Sequence, residues 1–113
     1  MRLTATQIES YRREGVLHVQ GALTDADLQP VIDELTAVVD DRARALQAEG
    51  ELADIHEEAP FERRIGLLYA QSGKITHGVD IMRYRGAAIF AFLSNNNLLD
   101  VLGGLLGPEI TCN

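Results

Sequence analysis

TDADLQPVIDELTAVVDDRARAL, residues 24–46, is the stretch that decides how the chain folds. Thr24 offers a hydroxyl to an early amide, and Asp25 and Asp27 set two carboxylates near the positive end of the helix that would follow. Leu28, Val31, Ile32, Leu35, Val38, Val39 and Leu46 then recur at three- and four-residue spacing, so one face of a long helix is apolar. Pro30 deletes one backbone hydrogen bond, at a cost of roughly 3 kcal/mol deep in a regular helix. It falls within the first two turns, so a kink or a restart is expected there instead of a break.

Outward from that helix, both Thr4 and Thr6 fit a capping box, each with Gln or Glu three places on. A first helix is expected to run to about Glu14 and to close at Gly15, which takes positive φ without a Cβ clash. Val16, His18 and Gln20 alternate with Leu17 and Val19, which predicts a short strand broken at Gly21. Residues 49–59 are acidic and aperiodic, a solvated connection. Pro60 can occupy the first position of a third helix whose buried face would carry Phe61, Ile65, Leu68 and Tyr69. Residues 71–86, with glycines at 73, 78 and 86, read as an irregular loop holding at most a short strand from Val79 to Met82. Ala87 to Leu93 reads as a short buried helix. Asn95 or Asn96 caps a last one bearing Leu98, Leu99, Val101, Leu102, Leu105 and Leu106, and Gly107-Pro108 ends it. Ile110 and the residues after it read as the start of a strand on which the chain stops.

The 113 residues hold at most one domain, with 10 Lys plus Arg against 17 Asp plus Glu and a net charge of −7. The cations are scattered and Trp is absent, so no basic stripe for nucleic acid exists. Ser94 to Asn97 and Asp100 interrupt the most apolar stretch, 86–106, well short of the ~20 apolar residues of a membrane span. One cysteine, Cys112, permits no internal disulfide, and no signal segment follows Met1. A soluble, cytoplasmic protein is expected.

Few residues are suited to chemistry. His18, His56 and His77 are a thin supply for a metal site, and His77 stands three residues before Asp80, one too many for a His-x-Asp pair. His18 reads as structural and His56 as solvated. Asp54, Glu57, Glu58 and Glu62 form a hydrated acidic face before they form an acid–base pair. Arg63-Arg64 and the trio Lys74, Arg83 and Arg85 suit either an anionic substrate or surface ion pairs. Residues 73–76, GKIT, lack the earlier glycine of a phosphate loop, and Ser72, Ser94 and Cys112 lack the setting of a nucleophile.

Two stretches nevertheless resemble a known family. LTATQIESYRREG (3–15) followed by VLHVQGALT (16–24) looks like the opening helix, glycine stop, strand and threonine-capped helix of the phytanoyl-CoA dioxygenase family, the iron(II)/2-oxoglutarate oxygenases. LLDVLGGLLGPEI (98–110) is similar to that family's helix ending in Leu-Gly-Pro, which feeds its first barrel strand. The resemblance implies an α+β class, with residues 1–113 as the mostly helical N-terminal part of one oxygenase domain. Its scaffold would be a cupin-like double-stranded β-helix, a jelly roll. The chain would be truncated before the metal-binding barrel, its expected packing partner. Fe(II) and 2-oxoglutarate would serve the complete enzyme, which would hydroxylate a small organic substrate. The family's iron ligands lie later, so no residue here is carried over as a metal ligand or catalytic group, and this chain alone would bind no cofactor and be inactive. Family members often recognise substrate through irregular N-terminal segments, which makes Lys74, His77 and Arg83 the candidate substrate contacts. Charge reversal at Arg83 in the complete enzyme would then raise KM more than it lowers kcat. The alternative is a free-standing acidic helical module that binds a protein partner, and a small His-carboxylate metalloenzyme is a third reading.

Overall fold

A computed structural model describes residues 1–80 and 83–112. Among the described residues five helices follow one another: α1 (Ala5–Glu14), α2 (Asp25–Ala48), α3 (Phe61–Gln71), α4 (Ala87–Phe92) and α5 (Asn96–Leu106), with one 3-10 turn at Gly73–Thr76. No strand occurs among the described residues. The α+β class, and with it the jelly-roll architecture implied by the resemblance, is therefore corrected to an all-helical small domain.

Alternation along 16–20 survives as burial, since Leu17 and Val19 are half-buried while Val16, His18 and Gln20 are exposed. A strand also needs a neighbour whose amides and carbonyls complete a ladder, and no described segment supplies one. The same holds for 110–112. Val79 and Asp80 pair with no ladder, and Ile81 and Met82, the rest of that expected strand, lie outside the described residues.

The helix ends follow from local chemistry. Thr4 Oγ1 accepts from the Gln7 amide at 3.2 Å, Gln7 Oε1 accepts from the Thr4 amide at 2.9 Å, and Gly15 closes α1 at φ 75°. At α2, Thr24 Oγ1 accepts from the Asp27 amide at 3.2 Å and Asp27 Oδ2 accepts from the Thr24 amide at 2.7 Å. The helix continues through Pro30 without a restart, and Ala26, whose carbonyl loses its helical donor there, is exposed. Asn95 Oδ1 accepts from the Leu98 amide at 2.9 Å to open α5.

The chain forms two compact units, Met1–Leu28 with the residues from Phe90 on, and Gln29–Ile89. Among the described residues, every buried side chain belongs to the second. Val39, Ala43 and Leu46 of α2 pack with Leu52, Leu68 and Ile75, and Ile55 and Ile65 lean on them. Residues 49–59 are thus not a purely solvated connection, because Leu52 turns into the core. Pro60 is the N-cap of α3, one place before the expected first position. The face of α3 is partly the expected one: Leu68 is buried and Ile65 leans on the core. Tyr69 is 58% exposed and Phe61 is exposed, whereas Arg64, one turn before the fully buried Leu68, is only 6% exposed.

In the first unit, Leu3 packs on α5, where a Cβ at Gly104 would lie 3.4 Å from the Leu3 Cβ. The N-terminal ammonium is 3.6 Å from Asp100. None of its described residues is buried, and Val16 (70% exposed), Phe90 (69%) and Leu106 (61%) face outward. The expectation that α4 would be a buried helix is corrected accordingly: it has no buried residue.

Candidate functional site

Lys74, His77 and Arg83 leave the end of α3 on different structures. Ser72 Oγ accepts from the Lys74 amide and starts the 3-10 turn, whose Ile75 side chain enters the core. Burying Ile75 fixes the backbone on both sides of it, which orients Lys74 outward. Lys74 Nζ donates to Glu51 Oε1 at 2.6 Å, and this carboxylate, through its hydrogen bond and its charge, raises the ammonium pKa. The His77 carbonyl accepts from the Arg42 guanidinium, which also reaches the Lys74 carbonyl at 3.4 Å. An open groove of about 570 Å³ lies here, walled by Val38, Arg42, Ala45, Lys74 and His77 with the Asp41 carboxylate among them.

Lys74 and His77 are therefore brought together, and Arg42 joins them from α2. Arg83 adjoins this group at Gly78, where a Cβ would sit 3.7 Å from Arg42 Nη2, but it takes no part in the described groove walls. Its amide donates to the Asp80 carbonyl and to Asp80 Oδ1, both at 3.1 Å, and its Cδ lies 4.0 Å from where a Cβ on Gly78 would sit. Arg42 spends donors on two backbone carbonyls, closing the 3-10 turn as a C-terminal cap would, and Lys74 is paired with Glu51.

A second concavity in the same unit is more enclosed and more apolar. It measures about 290 Å³ between α2 and α3, with Leu35, Val39, Phe61, Ile65 and Val79 as its walls. Its polar groups are Thr36, Glu57, Glu62 and Arg64. Arg64 is held from behind: Nε donates to the Ile55 carbonyl at 3.1 Å and Nη2 to Asp40 Oδ1 at 2.8 Å. Arg44 donates to Asp40 Oδ2 at 2.8 Å and to Glu57 Oε1 at 2.7 Å. Hydrogen bonds from Arg44 and then Arg64 hold the Asp40 carboxyl below its ordinary range. The chain Arg64–Asp40–Arg44–Glu57 ties α2, the connector and α3 into one wall.

Sequence reading missed this wall, since Arg63-Arg64 looks like a surface pair. Two signals were present: Asp40 and Arg44 are four apart on one helix, and Arg64 stands one turn before Leu68. Arg42 carried no comparable signal, because its partners lie 32 and 35 residues away.

Among the described residues no three His, Cys, Asp or Glu side chains converge to hold a metal ion. His18 lies in the first unit and His56 and His77 in the second; His56 Nδ1 is 3.6 Å from Asp54 Oδ2. No step of iron chemistry is assigned to the described residues. Among the described residues no helix is long and apolar enough to cross a membrane. Comparison of the chain with family models, with curated proteins and with solved structures returns no match.

Proposed function

We propose that this chain is the N-terminal segment of a non-heme iron(II)/2-oxoglutarate-dependent dioxygenase that hydroxylates a small organic substrate in the cytoplasm. Its role is to pack against the catalytic portion of the same polypeptide and to supply substrate contacts around Lys74 and His77. Arg83 contributes from the turn beside Gly78. The iron and the 2-oxoglutarate belong to the catalytic portion, and this chain alone is inactive.

One observation carries the reading. The two stretches that resemble the family, 3–24 and 98–110, lie far apart in sequence yet fall in one compact unit, where Leu3 meets Gly104. That unit encloses none of its described side chains and leaves Val16, Phe90 and Leu106 in solvent. Large apolar side chains left uncovered in a unit without an enclosed interior are what further protein would cover.

The test is to express the chain alone and the polypeptide extended through the downstream reading frame, and to measure succinate released from 2-oxoglutarate with added Fe(II). Succinate from the extended protein only is the expected result. A native stop codon at Asn113, or an extended protein that binds no iron and forms no succinate, would contradict the proposal. A monodisperse 113-residue protein would then point to the interaction module.

A further inference from the structure

The cavity between α2 and α3 has apolar walls and one charge left over. Around it stand Asp40, Glu57, Arg44 and Arg64, two carboxylates and two guanidinium groups joined in one hydrogen-bonded chain, so their charges cancel. Glu62, in the first turn of α3, also lines the cavity, and its carboxylate has no hydrogen-bond or ion-pair partner among the described residues. The buried guanidinium of Arg64 does not offset it, because Asp40 and the Ile55 carbonyl already occupy Arg64. At about 290 Å³ the cavity stands at the low end of the ~300–1,000 Å³ typical of small-molecule sites. Apolar walls with a few placed polar groups are the usual composition of such sites.

We propose that this cavity binds a small organic cation, an apolar body the size of a short alkyl chain or a single ring bearing one protonated amine. The apolar part lies against Leu35, Val39, Phe61 and Ile65, and the ammonium donates to the Glu62 carboxylate at the mouth. Burying the alkyl part supplies affinity in proportion to the apolar area removed from water. The unpaired carboxylate selects the sign of the charge, since among the described residues lining the cavity no unpaired cation would answer an anionic ligand of the same shape. The proposal does not depend on the oxygenase reading, because its measurement is binding and not turnover.

The experiment titrates n-hexylammonium, hexanoate and methylammonium into the 113-residue chain, and in parallel into the extended polypeptide, by calorimetry and heteronuclear NMR. Hexylammonium should bind saturably at one site, with shifts confined to the residues around the cavity. Hexanoate and methylammonium should not bind. Glu62→Gln should weaken hexylammonium about five-fold, the effect of losing one charge-assisted contact at a half-open site. Ala59→Phe, which fills the cavity from the loop before α3, should abolish binding while the helical circular dichroism is kept. Four results would each overturn the proposal. Hexanoate could bind as well as hexylammonium, or methylammonium could give the same response through the overall negative charge. Hexylammonium could bind the Ala59→Phe variant undiminished, or it could fail to bind both polypeptides.

Discussion

Two single residues concentrate more of the local chemistry than their neighbours. Gly86 precedes α4, and Glu34 Oε1 and Oε2 accept from the amides of Ala88 and Ile89 at 2.9 and 3.0 Å. A Cβ on Gly86 would lie 2.3 Å from the Glu34 Cδ, so Gly86→Ala must displace the carboxylate and uncap two amides. Its expected cost is about 1 kcal/mol, that of a lost cap. In a Glu34→Ala background the same change should cost almost nothing, and urea denaturation of the four proteins in the cycle checks it. Asp27 is the other. Its carboxylate accepts from the Thr24 amide and hydroxyl and, at 2.8 Å each, from the side-chain amides of Asn95 and Asn97. These bonds, led by that from the Thr24 backbone, hold its pKa far below the ordinary 3.8. A depressed folded-state pKa stabilises the fold fully above the unfolded value, and that contribution shrinks from there and is lost as pH falls through the folded-state value. Asp27→Asn should therefore melt lower than the parent at neutral pH, and the gap should begin to narrow below pH ~4 and keep narrowing toward the far lower folded-state value. A gap independent of pH would remove the carboxylate from this role.

The helices divide by what their apolar faces meet. Leu68 of α3 is fully enclosed by α2, Leu52 and Ile75, whereas Leu106 of α5 faces outward. Leu68→Ala should cost about 2–5 kcal/mol and Leu106→Ala within about 0.5 kcal/mol, read as shifts in the urea midpoint. The same division separates what sequence reveals from what it hides. Caps at Thr4, Gly15, Thr24 and Asn95 were legible because each is settled by contacts within a few residues. The orientation of α3 was legible only in part. Of the expected stripe Phe61, Ile65, Leu68 and Tyr69, Leu68 and Ile65 do face the core, but Phe61 and Tyr69 are exposed and Arg64 is buried instead, because Asp40 and the Ile55 carbonyl accept its guanidinium from outside the helix. Ile75 was hidden by the glycines and polar residues around it, and the strand at 16–20 failed because pairing is a property of two segments. Of the candidate site, Lys74 and His77 are neighbours in the chain and were legible together. Their setting depends on Arg42, and the apolar cavity depends on α2 and α3 lying side by side, which no local pattern encodes.

Taken as a whole, the chain has one unit with a core and one without. Gln29–Ile89 encloses Val39, Ala43, Leu46, Leu52, Leu68 and Ile75, while the unit that carries both family-like stretches encloses no described side chain. Local opening follows burial, so amides of α1 and α5 should exchange with solvent much faster than those of α3 and the second half of α2. The most direct measurement is amide hydrogen–deuterium exchange, compared between the 113-residue chain and the polypeptide extended through the downstream reading frame. In the extended protein α1 and α5 should slow by about ten-fold or more, with α3 nearly unchanged. Protection of α1 and α5 equal to that of α3 in the short chain, with no gain on extension, would contradict the claim that this unit is completed by further protein.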